Sequence, residues 1–248
     1  MRVEPLTATE EVDEVCFANG GKHIVASSSS EELTRIWSLA SKRAVVTNVG
    51  DEWSIGQGPT STMFTAGLLQ RAAPRALACT PGGKLLAIGS SSNVVNVFEL
   101  SKLLGLNANT TLGGDAFRFQ IDLRNLQVGA LFALALDESA NLLMVCSRGG
   151  LTMIDIQTRA IGPTLPCQCK SLAASGGSPA VVSTLTLDGH VLLWDLSGRK
   201  FVTAPVARST AVAVSIDGRR LAVADTEGSV HLCNTDSSNI TCMSVLKM

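Results

Sequence analysis

Charge is scarce in this chain of 248 residues: Asp, Glu, Lys and Arg make up 17%, and 20 basic residues against 21 acidic ones leave a net charge of −1. That balance gives no reason to expect nucleic acid or an anionic membrane surface, both of which favour concentrated Lys and Arg. No stretch approaches the ~18 uninterrupted apolar residues that cross a bilayer, so no membrane span is expected. The opening MRVEPLTATEEVDEV lacks the basic and apolar regions of a secretory leader. Cysteine is present but in an odd number, 7, mostly inside apolar runs. Separate buried thiols in a reducing compartment fit that usage better than a disulfide framework. The expected setting is cytoplasmic, with a nucleocytoplasmic one as the alternative. There, Asn109-Thr110-Thr111 and Asn239-Ile240-Thr241 would stay idle as glycosylation acceptors.

What the chain does have is apolar content, 46% by residue, and a repeat. Five segments align: 17–39, 79–100, 136–156, 174–196 and 215–235. Each runs from a polar or Gly-containing turn through a short aliphatic run, a small-residue turn and a second apolar run. From first turn to the end of the second run the offsets are 16 (Gly21 to Trp37), 15 (Gly83 to Phe98), 14 (Ala140 to Ile154), 15 (Pro179 to Trp194) and 15 (Gly218 to Cys233). The same landmarks lie 61, 56, 40 and 39 residues apart between copies. A fixed interior with variable joints is what rigid strand meanders linked by elastic outer loops produce.

The runs are strands, because they are five to seven residues long and bounded by Gly, Ser, Asn or Asp. Val191–Leu196 carries apolar bulk on both faces, as a sheet stacked between two neighbours requires. A first strand precedes each copy (Glu14–Phe17, Ala76–Cys79, Leu131–Leu136, Ser171–Ala174, Ala211–Val214). A fourth follows it (Ala44–Val49, Ala116–Leu123, Ile161–Leu165, Phe201–Val206, Thr241–Leu246). The expected fold is all-β, a β-propeller of about five four-stranded blades. Residues 1–248 would form one domain, with blades near 13–49, 75–123, 130–165, 171–206 and 210–247 and inserted loops at 50–74 and 101–114.

LDGHVLLWDL at 187–196 resembles the ending of a WD40 repeat, with its Asp-Gly turn and Trp-Asp pair, and LTRIWSL at 33–39 is a weaker likeness. The pattern covers nearly the whole chain, and the letters are specific at those two places. No Gly-His dipeptide precedes a first strand, and three copies lack the tryptophan. The Asp-His-Ser-Trp hydrogen-bond network that locks WD40 blades is therefore expected to be missing. Val3–Leu6 could close the ring beside Ser229–Asn234, though Thr241–Leu246 competes for that edge. Alternatively the ring is incomplete and finished by another chain, since an open blade edge invites pairing.

Convergent chemistry is hard to find. His23, His190 and His231 have no zinc-site spacing. Cys167-Gln168-Cys169 would be half a metal or redox site, but no second pair stands at partner spacing. Ser175–Ser178 and Gly113-Gly114 open no helix and so cradle no phosphate, and no Gly-x-Ser-x-Gly elbow occurs. The innermost strands (VCF, ALAC, FALAL, LAA, AVAV) are small and apolar, unlike a polar catalytic funnel. No catalytic residue, metal or cofactor is expected. Arg118, Arg124, Arg148 and Arg159 read as solvated, and Ser101–Gly114 as a polar flexible loop.

The segment 50–74 escapes the repeat. It carries Trp53, Met63, Phe64, Leu68 and Arg71, residue types enriched at interface hot spots, the competing reading being that they fold back on their own protein. The expected function is a non-catalytic protein-interaction scaffold, a subunit or adaptor that binds a protein or peptide. The alternatives are a trafficking or GTPase-regulatory propeller, by analogy with exchange factors, and a channel-sited hydrolase.

Overall fold

The computed structural model describes residues 12–30, 33–40, 43–47, 73–80, 82–104, 116–126, 129–137, 141–175, 181–195, 200–215, 217–236 and 239–247. Two compact units divide the chain, Met1–Asn125 and Leu126–Met248. Among the described residues every sheet is a four-stranded antiparallel meander with its strands in sequence order.

The first unit holds two such sheets. One is β1 (Glu14–Ala18), β2 (His23–Ser28), β3 (Leu33–Ser38) and β4 (Arg43–Thr47). The other is β5 (Pro74–Cys79), β6 (Leu85–Ser90), β7 (Val94–Glu99) and β8 (Phe117–Asp122). They touch through β1, β2 and β5. Val25, Ile36, Leu77, Leu86 and Phe98 fill the space between them. Position within a sheet dictates composition: β6, an inner strand reading LLAIGS, is buried at all six residues, whereas β8, an edge strand reading FRFQID, alternates between core and solvent.

The start of the loop expected at Ser101–Gly114 is instead helical, and residues 105–114 lie outside the described residues. Leu100–Leu104 is a short helix, α1, with Leu100 and Leu103 fully buried against the core. Leucines three apart fall on one helical face, and Lys102 reaches back to Glu99 at 3.1 Å. The burial of two leucines outweighs the polar composition around them, at ~1.5–3 kcal/mol for each side chain removed from water.

Three sheets make the second unit. They are β9 (Leu131–Leu136), β10 (Leu142–Ser147), β11 (Gly150–Asp155) and β12 (Ile161–Leu165); β13 (Cys169–Ala174), β14 (Val181–Thr186), β15 (Val191–Asp195) and β16 (Lys200–Thr203); and β17 (Ser209–Val214), β18 (Arg220–Asp225), β19 (Ser229–Asp236) and β20 (Asn239–Lys247). The first strands β9, β13 and β17 are successive neighbours, so these sheets meet along their inner edges. Strand β20 takes the place beside β19 for which two segments competed in the sequence. Its rival, Val3–Leu6, lies outside the described residues.

One device repeats at the turn between first and second strands. Thr80, Asp137, Ser175 and Ser215 each accept, through the side chain, the backbone N–H that opens the next strand: Leu85 at 3.0 Å, Leu142 at 3.2 Å, Val181 at 2.9 Å and Arg220 at 2.9 Å. The same residues close a backbone bond to that strand, at 2.8 to 3.1 Å. A short oxygen-bearing side chain replaces the missing ladder partner at the turn, which is why the offsets along the repeat hold steady. Gly150 is fixed by sterics: its φ is +137°, and a Cβ there would collide with the Leu165 carbonyl on the neighbouring strand.

Candidate functional site

The β13–β16 blade carries a cavity of about 530 Å³. One wall is the loop leading into β13, with Pro166, Cys167 and Gln168; the other is the β14–β15 turn, with Thr186, Asp188 and His190. The Leu187 N–H donates to the Gln168 carbonyl at 2.7 Å and ties the walls together. Leu187-Asp188-Gly189 turns because Gly189 takes a φ of +81°, and the Gly189 N–H closes on the Thr186 carbonyl at 3.1 Å.

The Thr186 hydroxyl accepts the His190 N–H at 3.0 Å and bonds the Asp188 carboxylate. The Thr186 bond holds the Asp188 carboxyl below the usual carboxylate range, with His190 adding a smaller pull. Asp188 and His190 side chains are 68% and 54% exposed and stand 3.8 Å apart. The cavity thus offers an ionised carboxylate, an imidazole, an amide and a threonine beside the apolar surfaces of Pro166 and Leu192.

Beneath it lies a buried hydrogen bond. The Trp194 indole N–H donates to Thr184 Oγ1 at 2.9 Å, and Cys167 packs against the same apolar cluster as Trp194. Burial pushes the Cys167 thiol up, an effect partly offset by its bonds to the Leu151 backbone and to Thr184. Of the four-residue network expected to be missing, the described residues of this blade hold a tryptophan–hydroxyl bond. Trp194 sits opposite Val182 and Thr184 opposite Leu192, so the bond runs diagonally between adjacent strands and no local motif points to it.

In the last blade, Asp225 accepts the backbone N–H groups of Glu227 at 2.8 Å and Ser229 at 2.9 Å and pairs with His231 Nε2 at 2.7 Å. His231, followed by the Ser229 and Glu227 amides, holds the Asp225 carboxyl low. All three bonds brace the β18–β19 turn. At the third histidine, His23, burial and then Lys22 lower the pKa.

The cysteines differ from the expectation of separate thiols. Cys146 of β10 is bonded to Cys169 of β13, joining two blades, and Cys233 of β19 to Cys242 of β20. Cys167-Gln168-Cys169 is therefore divided, one sulfur in a disulfide and the other a thiol. The partner of Cys169 belongs to another blade, where no local spacing points to it. Arg118, Arg124, Arg148 and Arg159 are exposed, with Arg124 paired to Asp122. Trp53, Met63, Phe64, Leu68 and Arg71 lie outside the described residues. No group of three or more His, Cys, Asp or Glu that could hold a metal ion occurs among the described residues, and no helix there is long and apolar enough to cross a membrane.

No family model and no curated protein matches the sequence. Solved structures do match. The crystal structure of RRP9 WD40 repeats superposes with a TM-score of 0.70 at 14% identity, over 97% of this chain and 64% of that one. The structure of U3-55K gives a TM-score of 0.66 at 13% identity, over 95% of this chain and 69% of that one. The chain thus spans less than two thirds of the RRP9 chain. In all, 1597 solved chains match, and a fold so widely shared names no partner by itself.

Proposed function

We propose that this chain, a WD40-like β-propeller, is a non-catalytic scaffold that binds a protein partner through the cavity of the β13–β16 blade. The observation that carries this reading is the ionised, exposed Asp188 carboxylate set beside His190 and flanked by the apolar surfaces of Pro166 and Leu192. Such a site suits an extended segment that presents Lys or Arg to Asp188 and lays an apolar neighbour on Leu192. Trp53, Met63, Phe64, Leu68 and Arg71 are proposed as further partner contacts, on residue type alone. The setting proposed is cytoplasmic or nucleocytoplasmic. There the disulfides would be exposed to reductants, so thiol trapping in intact cells tests that part directly.

Affinity purification of the tagged chain from native cells, compared with Asp188→Lys, tests the site. Reversing an exposed charge facing a basic segment should weaken capture of that partner at least about tenfold, while the thermal melt stays cooperative. An unchanged set of stoichiometric partners with Asp188→Lys would remove the cavity from the reading. Turnover of a substrate by the chain alone would remove the word non-catalytic.

A further inference from the structure

Cys16 on β1 and Cys79 on β5 bring their sulfurs to 3.0 Å across 63 residues of sequence. Alternation along β1 sets the aim of Cys16: Val15 and Phe17 on either side face outward at 62% and 69% exposure, so Cys16 turns inward toward β5. Both cysteines pack against the cluster that includes Val25, Leu77, Leu86 and Phe98. Neither is fully buried, so a small reagent can reach them.

We infer that Cys16 and Cys79 form a dithiol modification site, oxidised reversibly to a disulfide by hydrogen peroxide. A Cys16 thiolate attacks one peroxide oxygen, the O–O bond breaks, and the departing hydroxide takes up a proton as water. Cys16 is then a sulfenic acid. The Cys79 sulfur attacks the Cys16 sulfur, the S–O bond breaks, and the Cys79 proton leaves with the hydroxide as a second water. Two electrons pass from the sulfurs to the peroxide. Two equivalents of a low-molecular-weight thiol reverse the step by exchange and are themselves joined as a disulfide. The bond to Cys16, then burial, push the Cys79 thiol well up, which suits it to the resolving role written here.

Cys167 provides an internal comparison. It is also a half-buried thiol, but the cysteines it packs against, Cys146 and Cys169, are already joined to each other.

The test uses the full chain, treated with hydrogen peroxide, unfolded, alkylated and digested without reductant for mass spectrometry. The expected result is a peptide pair joined through Cys16 and Cys79, with alkylation lost equally at both and restored by dithiothreitol, while Cys167 stays alkylatable. In Cys79→Ser the joined pair should vanish and Cys16 should be trapped by dimedone as the sulfenic acid. Full alkylation at Cys16 and Cys79 after peroxide, or Cys16 joined to any other cysteine, overturns the inference. The unmutated chain decides it even if the variant does not fold.

Discussion

Removing the Cys146–Cys169 bond should destabilise the second unit by about 3 kcal/mol, on the loop-entropy relation for cross-linked chains. The bond joins residues 23 apart in sequence, and closing a loop of that length in the unfolded chain corresponds to about 3.4 kcal/mol at 25 °C. The Cys233–Cys242 bond closes only 9 residues, for which the same relation gives about 2.6 kcal/mol. Cys146 and Cys169 are fully buried, so alanines there also leave a small void, which adds to the difference. Urea unfolding of Cys146→Ala/Cys169→Ala and of Cys233→Ala/Cys242→Ala, without reductant, measures both. With a urea slope of about 2–3 kcal/mol per molar, the first variant's midpoint should fall by roughly 1–1.5 M. The second should fall less. The unmutated protein in dithiothreitol should lose at least as much as the first variant. An unchanged midpoint in the first variant, or a larger loss in the second, would refute the reasoning from loop length.

Two further outcomes are expected. Trp194→Phe removes the indole donor from Thr184 inside the blade and should cost about 1–3 kcal/mol. Thr184→Val added to it should cost less than the sum of the two single changes, and strict additivity would show that the bond contributes nothing. The second outcome concerns acid. The Asp225 carboxyl is held low in the folded chain by His231 and two backbone amides. Its contribution is thus fully present above the unfolded carboxyl value of about 3.9 and is lost as pH falls through the lower folded value. Urea midpoints measured from pH 6 downward should drop, and His231→Phe should flatten part of that drop. Identical slopes in the two proteins would remove His231 as a cause.

The fold was largely readable because strand burial leaves a periodic trace. Leu131–Leu136 and Ile161–Leu165 end where the apolar runs and turn residues end, and most other strands differ by a residue or two at their termini. Most of the misses share a cause: they depend on groups brought together from distant parts of the chain. Cys146 and Cys169 sit in separate blades, so their bond has no local spacing. The cavity likewise joins a loop to a turn some twenty residues on. Helix α1 was hidden because its two buried leucines are surrounded by Ser, Lys and Asn. Asp188 and His190 were visible as turn residues, but their role beside Pro166 and Gln168 was not.

The Trp194–Thr184 bond joins two groups that do not ionise between acid and neutral solution. Cys167, packed against the same cluster with its thiol pushed up by burial, carries no charge over that range either. Endosome-like pH should therefore leave the indole–hydroxyl contact inside the blade as it stands.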